Sequence, residues 1–342
     1  MPDKILKKEK LDALVKGLIA KGSRVVAPKR VRDFTLFTEV KSAGEIDLSE
    51  TNAQSSIKEF FFPRSELILR YTREKGAIKL EPVEIAAPKT VLLGVRGCDA
   101  SSLAAMDALF QWDSKDEFYL RKREATTIVS IACDKADSAC FCTSVGGSPD
   151  NRQGSDVLLT PIAGGDWKVE ALTNKGRQLL SDAAEALIEG EAKGAQVAQV
   201  PKRFDLDAVK PWLDANFQNE FWKEAALPCI GCGACAFVCP NCHCFDIQDE
   251  ACYSHGVRCK NWDSCGFALF TLHASGHNPR ATQDARWRQR MMHKFKYYVE
   301  RFKCVSCVGC GRCIRVCPVD MNICQMLEQI ANLPLAGKKS SS

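Results

Sequence analysis

The 342-residue sequence predicts an α+β protein: an N-terminal α/β domain over residues 1–224, a smaller cysteine-rich domain over 225–330 split by a long insertion, and a flexible tail over 331–342. Three observations predict it. Of the 19 cysteines, Cys98, Cys133, Cys140 and Cys142 lie in the first part, and all the others fall between Cys229 and Cys324. The segment T-V-L-L-G-V-R-G-C-D-A-S-S-L-A-A-M-D-A-L-F, starting at Thr90, reads as a buried strand, a tight glycine turn and a helix capped near Asp99. Finally, C-I-G-C-G-A-C-A-F-V-C-P (229–240) is repeated as C-V-G-C-G-R-C-I-R-V-C-P (307–318), with eight of twelve positions identical.

In chain order, Ile5, Leu6, Leu11, Leu14, Val15, Leu18 and Ile19 recur at helical spacing and predict an amphipathic opening helix. Short β-type runs follow at Phe34 to Val40, Glu59 to Phe62, Leu67 to Tyr71, Thr90 to Val95, Thr126 to Ile131 and Val157 to Pro161, with Trp167 to Ala171 as a hairpin partner. Helices near Lys175 to Ile188 and Leu206 to Glu224 close the first domain, and the boundary falls near 218–228. The turn at Gly94 and Gly97 does not make G-x-G-x-x-G, and no G-x-x-x-x-G-K-[ST] occurs, so a nucleotide-phosphate loop is not expected.

Composition narrows the class. Hydrophobic residues at 46% and charged residues at 26% describe a globular chain rather than a disordered one. A net charge of +5 predicts neither a nucleic-acid nor a membrane-surface protein. The lysine-rich start is followed by a segment broken by Asp12, Lys16 and Gly17, so no export signal is expected, and the uncharged run Leu227 to Asn241 is too short for a membrane span. The expected location is therefore the reducing cytoplasm, where cysteine spacing reads as metal ligation rather than as disulfides.

Each repeat is C-x2-C-x2-C-x3-C-P, the pattern in which three thiolates wrap one iron–sulfur cube and the fourth crosses to the other. The backbone must coil tightly to bring residues i, i+3 and i+6 to three irons, and the interleaved Gly231, Gly233, Gly309 and Gly311 permit that. This predicts a bacterial 2[4Fe-4S] ferredoxin-like domain, its two halves related by a pseudo-twofold axis, with an insertion over about 241–306. Cys229, Cys232, Cys235 and Cys317 are the expected ligands of one [4Fe-4S] cluster, and Cys307, Cys310, Cys313 and Cys239 those of the second. A zinc ribbon would want two separated C-x2-C knuckles instead. Arg312 and Arg315 in the second motif replace Ala234 and Phe237 of the first, so they either tune the second cluster or face a partner.

The residues around the motifs are C-P-N-C-H-C-F-D-I-Q-D-E (239–250), N-W-D-S-C-G-F-A-L-F-T-L-H-A-S-G-H-N-P-R (261–280) and R-W-R-Q-R-M-M-H-K-F-K-Y-Y (286–298). With G-V-R-G-C-D-A and C-F-C-T-S-V-G-G-S-P in the first domain, the stretch from about 90 to 325 resembles the iron–sulfur beta subunit of NAD(P)-linked sulfhydrogenases and the related iron–sulfur subunit of anaerobic sulfite reductase. The resemblance implies an electron-transfer subunit without a substrate site of its own, joining a flavin subunit that uses a pyridine nucleotide to a catalytic subunit of hydrogenase or sulfite-reductase type. Gly97 stands where that family often has proline and Asn241 where it often has threonine, while Cys252, Cys259 and Cys304 are additions to its pattern. A structural or redox-sensing iron–sulfur protein is the competing class.

Weaker groups remain. Cys98, Cys133, Cys140 and Cys142 are expected to hold a third [4Fe-4S] cluster, with Asp99 or Asp134 as substitute ligand; zinc and unliganded thiols are the alternatives. Cys98 and Cys133 each follow a strand and should emerge at one sheet edge. Cys242, Cys244, Cys252, Cys259 and Cys265, with His243, match no ligand spacing and are expected to be packed or spare thiols, a further cluster or zinc being the alternative. Cys304 competes with Cys307 for register, but only Cys307 completes the motif through Pro318. Cys324 is expected in a helix core, and His255, His273, His277 and His293 in structural roles. Eight residues from Arg280 to Lys303 are basic, interleaved with Trp287, Phe295, Tyr297 and Tyr298, and predict a face toward an acidic partner or toward the clusters rather than a nucleic-acid site.

Overall fold

The computed structural model describes residues 3–334. The chain begins with β1 (Asp3–Leu6), α1 (Leu11–Ala20), β2 (Arg24–Val31), β3 (Phe34–Glu39), β4 (Ser65–Glu74), β5 (Ala77–Pro82), β6 (Thr90–Arg96), α2 (Gly97–Phe110) and α3 (Glu117–Ala125). It continues through β7 (Thr126–Ile131), β8 (Val157–Pro161), β9 (Trp167–Ala171), α4 (Asn174–Asp182), β10 (Leu187–Gly190), α5 (Leu206–Ala215) and α6 (Phe221–Ala226). The cysteine-rich part adds α7 (Ala234–Phe237), β11 (Phe245–Cys252), β12 (His255–Trp262), α8 (Gln283–Met292), a π turn over His293–Tyr297, α9 (Tyr298–Phe302), α10 (Arg312–Arg315) and α11 (Ile323–Asn332).

Eight strands form a mixed sheet in the order β10-β1-β9-β8-β7-β6-β2-β3, parallel across β8, β7, β6 and β2 and antiparallel at both ends. β6 is buried along its whole length because side chains alternate between two covered faces. Val91 and Leu93 pack with Leu14, Val15 and Leu18 of α1 and Leu179 of α4; Leu92 packs with Leu103, Met106 and Phe110 of α2. The predicted α/β layer is thus present, with the β8–β9 hairpin where expected.

Five differences from the predicted elements have physical causes. The helix expected near 175–188 stops at Asp182, because Leu187 and Ile188 are drawn into β10 against Leu6 and Ile5 of β1. Ile5 and Leu6 belong to β1, paired on both sides, and the opening helix starts only at Leu11. Glu59 to Phe62 is no strand: a 3-10 turn over Ile57–Phe60 precedes Phe61 and Phe62, which are both buried, Phe61 beside Tyr119 and Phe62 beside Phe110. The helix expected over 206–224 is broken between α5 and α6, where the Asn216 amide donates to Trp212 O at 2.9 Å and Trp222 Nε1 donates to Asn216 O at 2.9 Å. Asp99 caps nothing; it is fully buried inside α2's first turn.

The two parts interlock. β11 and β12, inside the insertion, extend the β4–β5 hairpin into a second sheet ordered β11-β12-β4-β5. Trp212 and Leu213 of α5 and Trp222 of α6 share a core with Trp287, Met291 and Phe295 and with Ile323, Leu327 and Ile330 of α11. The predicted tail begins inside α11, which runs to Asn332, and residues 335–342 lie outside the described residues. No helix among the described residues is long and apolar enough to cross a membrane.

Candidate metal centres

The two repeats fold alike. Gly233 and Gly311 take left-handed backbone at φ +74° and +75° and start the matching short helices α7 and α10, which pack on each other. Cys229, Cys232 and Cys235 from the first repeat and Cys317 from the second line one cavity, with Gln283, Trp287 and Arg290 as further walls. The Cys229 sulfur accepts from Gln283 Nε2 at 3.1 Å, and Cys317 from Met321 N at 3.2 Å. Cys307, Cys310, Cys313 and Cys239 lie near one another, Cys239 and Cys310 buried and Cys307 and Cys313 half-buried, and Lys294 Nζ donates to Cys239 at 3.3 Å. Donors of this kind offset negative charge on sulfur and raise a cluster's reduction potential.

Both groups fit an anionic metal–thiolate centre. Burial pushes the thiol of Cys307 up to about 11, so ligation must displace a proton, and metal loading releases acid. Lys58, Arg290 and Lys294 are at least 96% buried, yet their hydrogen bonds go only to carbonyls and cysteine sulfurs. Arg290 Nε is buried with no hydrogen-bond partner among the described residues. Buried cations without counter-charge are costly, and a net-negative cluster supplies that charge.

Cys98 and Cys133 do emerge at one sheet edge. β6 and β7 run parallel with Arg96 opposite Ile131, and the cysteines follow two residues later. Together with Cys140 and Cys142 they line one small cavity, whose wall is completed by Gly309 and Cys310 of the second motif. Burial pushes Cys133 and Cys142 up to about 11. Arg315 Nη2 donates to Cys140 at 3.4 Å. Neither expected substitute ligand serves: Asp99 is taken by Arg312, and Asp134, 3.7 Å from Arg96, is absent from the lining.

Arg312 and Arg315 tie this loop and the second motif together. Arg312 is no surface residue: both its terminal nitrogens donate to the Asp99 carboxylate at 2.6 Å, and Nε donates to Ala53 O at 2.7 Å. Arg315 forks onto Asp137 at 2.8 Å. Phe141 N donates to Gly309 O at 2.9 Å, and Asn52 Nδ2 to Cys310 O at 2.9 Å.

The rest separates into packed and exposed groups. Cys324 is fully buried in α11, as expected. Cys252 is exposed at the tip of the β11–β12 hairpin. His293 packs edge-on against His243 and Tyr298, a structural arrangement. In the basic run, Arg286, Arg290 and Lys294 turn inward toward the cysteines, the second of the two orientations anticipated. Their i, i+4, i+8 spacing is the signal that could have singled them out. Lys58, which reaches Cys242 O at 2.9 Å from a 3-10 turn, carries no such signal.

Paired ferredoxin-type motifs, their cysteines ranging from buried Cys239 and Cys310 to exposed Cys232, define a [4Fe-4S] electron-transfer protein of the dicluster class. A family model described as a 4Fe-4S dicluster domain matches residues 228–321. The chain belongs to the sulfhydrogenase beta subunit family: it is 30% identical over 320 residues to Sulfhydrogenase 2 subunit beta of Pyrococcus furiosus, covering 90% of this chain and 92% of that protein. The similarity therefore reaches beyond the 90–325 stretch into the first 90 residues. No solved structure matches.

Proposed function

We propose that the chain relays single electrons between a flavin- and NAD(P)-binding subunit and a catalytic subunit of hydrogenase or sulfite-reductase type, within a cytoplasmic complex. Cys229, Cys232, Cys235 and Cys317 bind one [4Fe-4S] cluster, Cys307, Cys310, Cys313 and Cys239 the second, and Cys98, Cys133, Cys140 and Cys142 a third. When bound, such clusters supply reversible one-electron chemistry. The chain's own part is to hold the thiolates, exclude bulk water and set potentials through Gln283, Lys294 and Arg315.

The observation that carries the reading is adjacency. Cys310 of the second ligand set borders the cavity of the third, and an open cleft of about 520 Å³ brings solvent to Cys98, Cys142 and Cys307, where a partner can dock. The Pyrococcus relative is a sulfhydrogenase subunit by name, which supports a hydrogenase-type partner.

The test is iron and acid-labile sulfide analysis of anaerobically purified chain, followed by reductive titration read by electron paramagnetic resonance. Wild type should hold at least about twelve irons, with Cys317→Ser and Cys133→Ser each losing about four. An unchanged count in Cys133→Ser removes the third cluster, and one in Cys317→Ser removes the crossed ligand assignment. Clusters that resist reversible reduction in the nicotinamide range favour the structural or sensing role. Gln283→Leu, which deletes the donor to Cys229, should lower one cluster's midpoint potential without changing iron content.

A further inference from the structure

Three cysteines outside the ligand sets above are gathered by the insertion hairpin. Cys242 and Cys244 immediately precede β11, and Cys265 follows β12. The hairpin pairs Phe245 with Trp262, and Asp263 N donates to Cys244 O at 2.9 Å, so its base clips the chain on either side into one place beside the first motif. The Cys244 and Cys265 thiols adjoin, and Cys242, which adjoins Cys239, lies near Cys265. Cys252 and Cys259, on the same hairpin, take no part: the first is exposed at its tip and the second lies within β12.

The surroundings are those of an anionic centre. Cys265 is buried and lines the cavity of the first ligand set, and Arg290 Nη1 donates to Cys242 at 3.5 Å. Lys58 Nζ, buried and without a carboxylate partner, reaches Cys242 O at 2.9 Å while lying 3.8 Å over the Trp262 ring. Spare thiols need no buried lysine beside them.

We propose that Cys242, Cys244 and Cys265 hold an additional iron–sulfur cluster, ligated by three thiolates and completed by a solvent-derived ligand or by the loss of one iron. The site adjoins both ferredoxin-type ligand sets, through Cys235 on one side and Cys239 on the other. It extends the proposed electron-transfer role but does not depend on the third cluster at the sheet edge.

The experiment compares full-length wild type, Cys265→Ser and Cys133→Ser, purified anaerobically and assayed for iron, zinc and sulfide, with Mössbauer spectra of iron-57 protein. Cys265→Ser should lose about three or four irons with matching sulfide while the ferredoxin-type signals persist. That loss with no loss in Cys133→Ser upholds this site and rejects the sheet-edge cluster; the opposite pattern does the reverse. An unchanged iron count in Cys265→Ser, or a zinc ion lost in place of iron, overturns the proposal. If Cys265→Ser loads no iron at all, wild type decides: a count exceeding that of the clusters at Cys98 to Cys142 and in the two motifs by about three or more supports the site, and no excess overturns it.

Discussion

Asp99→Asn should destabilise the folded chain by about 3–5 kcal/mol, because it leaves a guanidinium buried without its counter-charge. The Arg312 side chain is 2% exposed and that of Asp99 is fully enclosed, so water cannot take the carboxylate's place. Nor can Arg312 swing away: its Nε is fixed on Ala53 O, and its backbone forms α10 beside Cys310 and Cys313. Damage should therefore reach the second motif, with iron lost there before the α/β layer melts. The same physics predicts a rescue. Asp99→Leu combined with Arg312→Met removes both charges and should recover most of the loss, since the net worth of a buried pair is small. Urea unfolding followed by far-ultraviolet circular dichroism, with iron content alongside, reads both effects. A single variant as stable as wild type would sink the account.

Gly309→Ala should cost about 2–4 kcal/mol and detach the 139–142 loop from the second motif. Gly309 has φ +62°, and a Cβ there would stand 2.5 Å from both Cys142 N and the Phe141 carbonyl carbon, backbone atoms that no side-chain adjustment can move aside. The two segments would have to separate, breaking the Phe141 N to Gly309 O hydrogen bond. Gly276→Ala is the control: its φ is +84°, but nothing lies within 4 Å of the added carbon, so only the backbone term of about 1–2 kcal/mol remains. Limited proteolysis within 133–150 should accelerate in Gly309→Ala and not in Gly276→Ala. Equal behaviour of the two variants would mean that contact between loop and motif is not what the glycine serves.

Legibility followed the range of the signal. β6 and the helix after it were readable because a fully buried strand is a continuous apolar run bounded by glycine, and the whole signal is local. The ferredoxin-type motifs were readable because ligand spacing is local too. The β11–β12 hairpin was not: F-D-I-Q-D-E-A-C is polar, every β11 residue is exposed, and the strand exists because β12 docks on β4, far earlier in the chain. The Asp99–Arg312 pair was invisible for the same reason, and an aspartate opening a helix is equally well read as a cap. Cys242, Cys244 and Cys265 could not be told apart from Cys252 and Cys259 in the sequence, because only that unforeseen hairpin sorts the five.

The second sheet has a consequence for biosynthesis. β4 emerges from the ribosome with β5 available as a partner on one edge only, and its other edge waits for β12, whose first residue, His255, comes 181 positions after Glu74. At elongation speeds of about 5–20 residues per second, that open edge persists for roughly 10–40 s. An unpaired strand edge is a template for pairing with other chains, so during that window the nascent protein is open to association through β4.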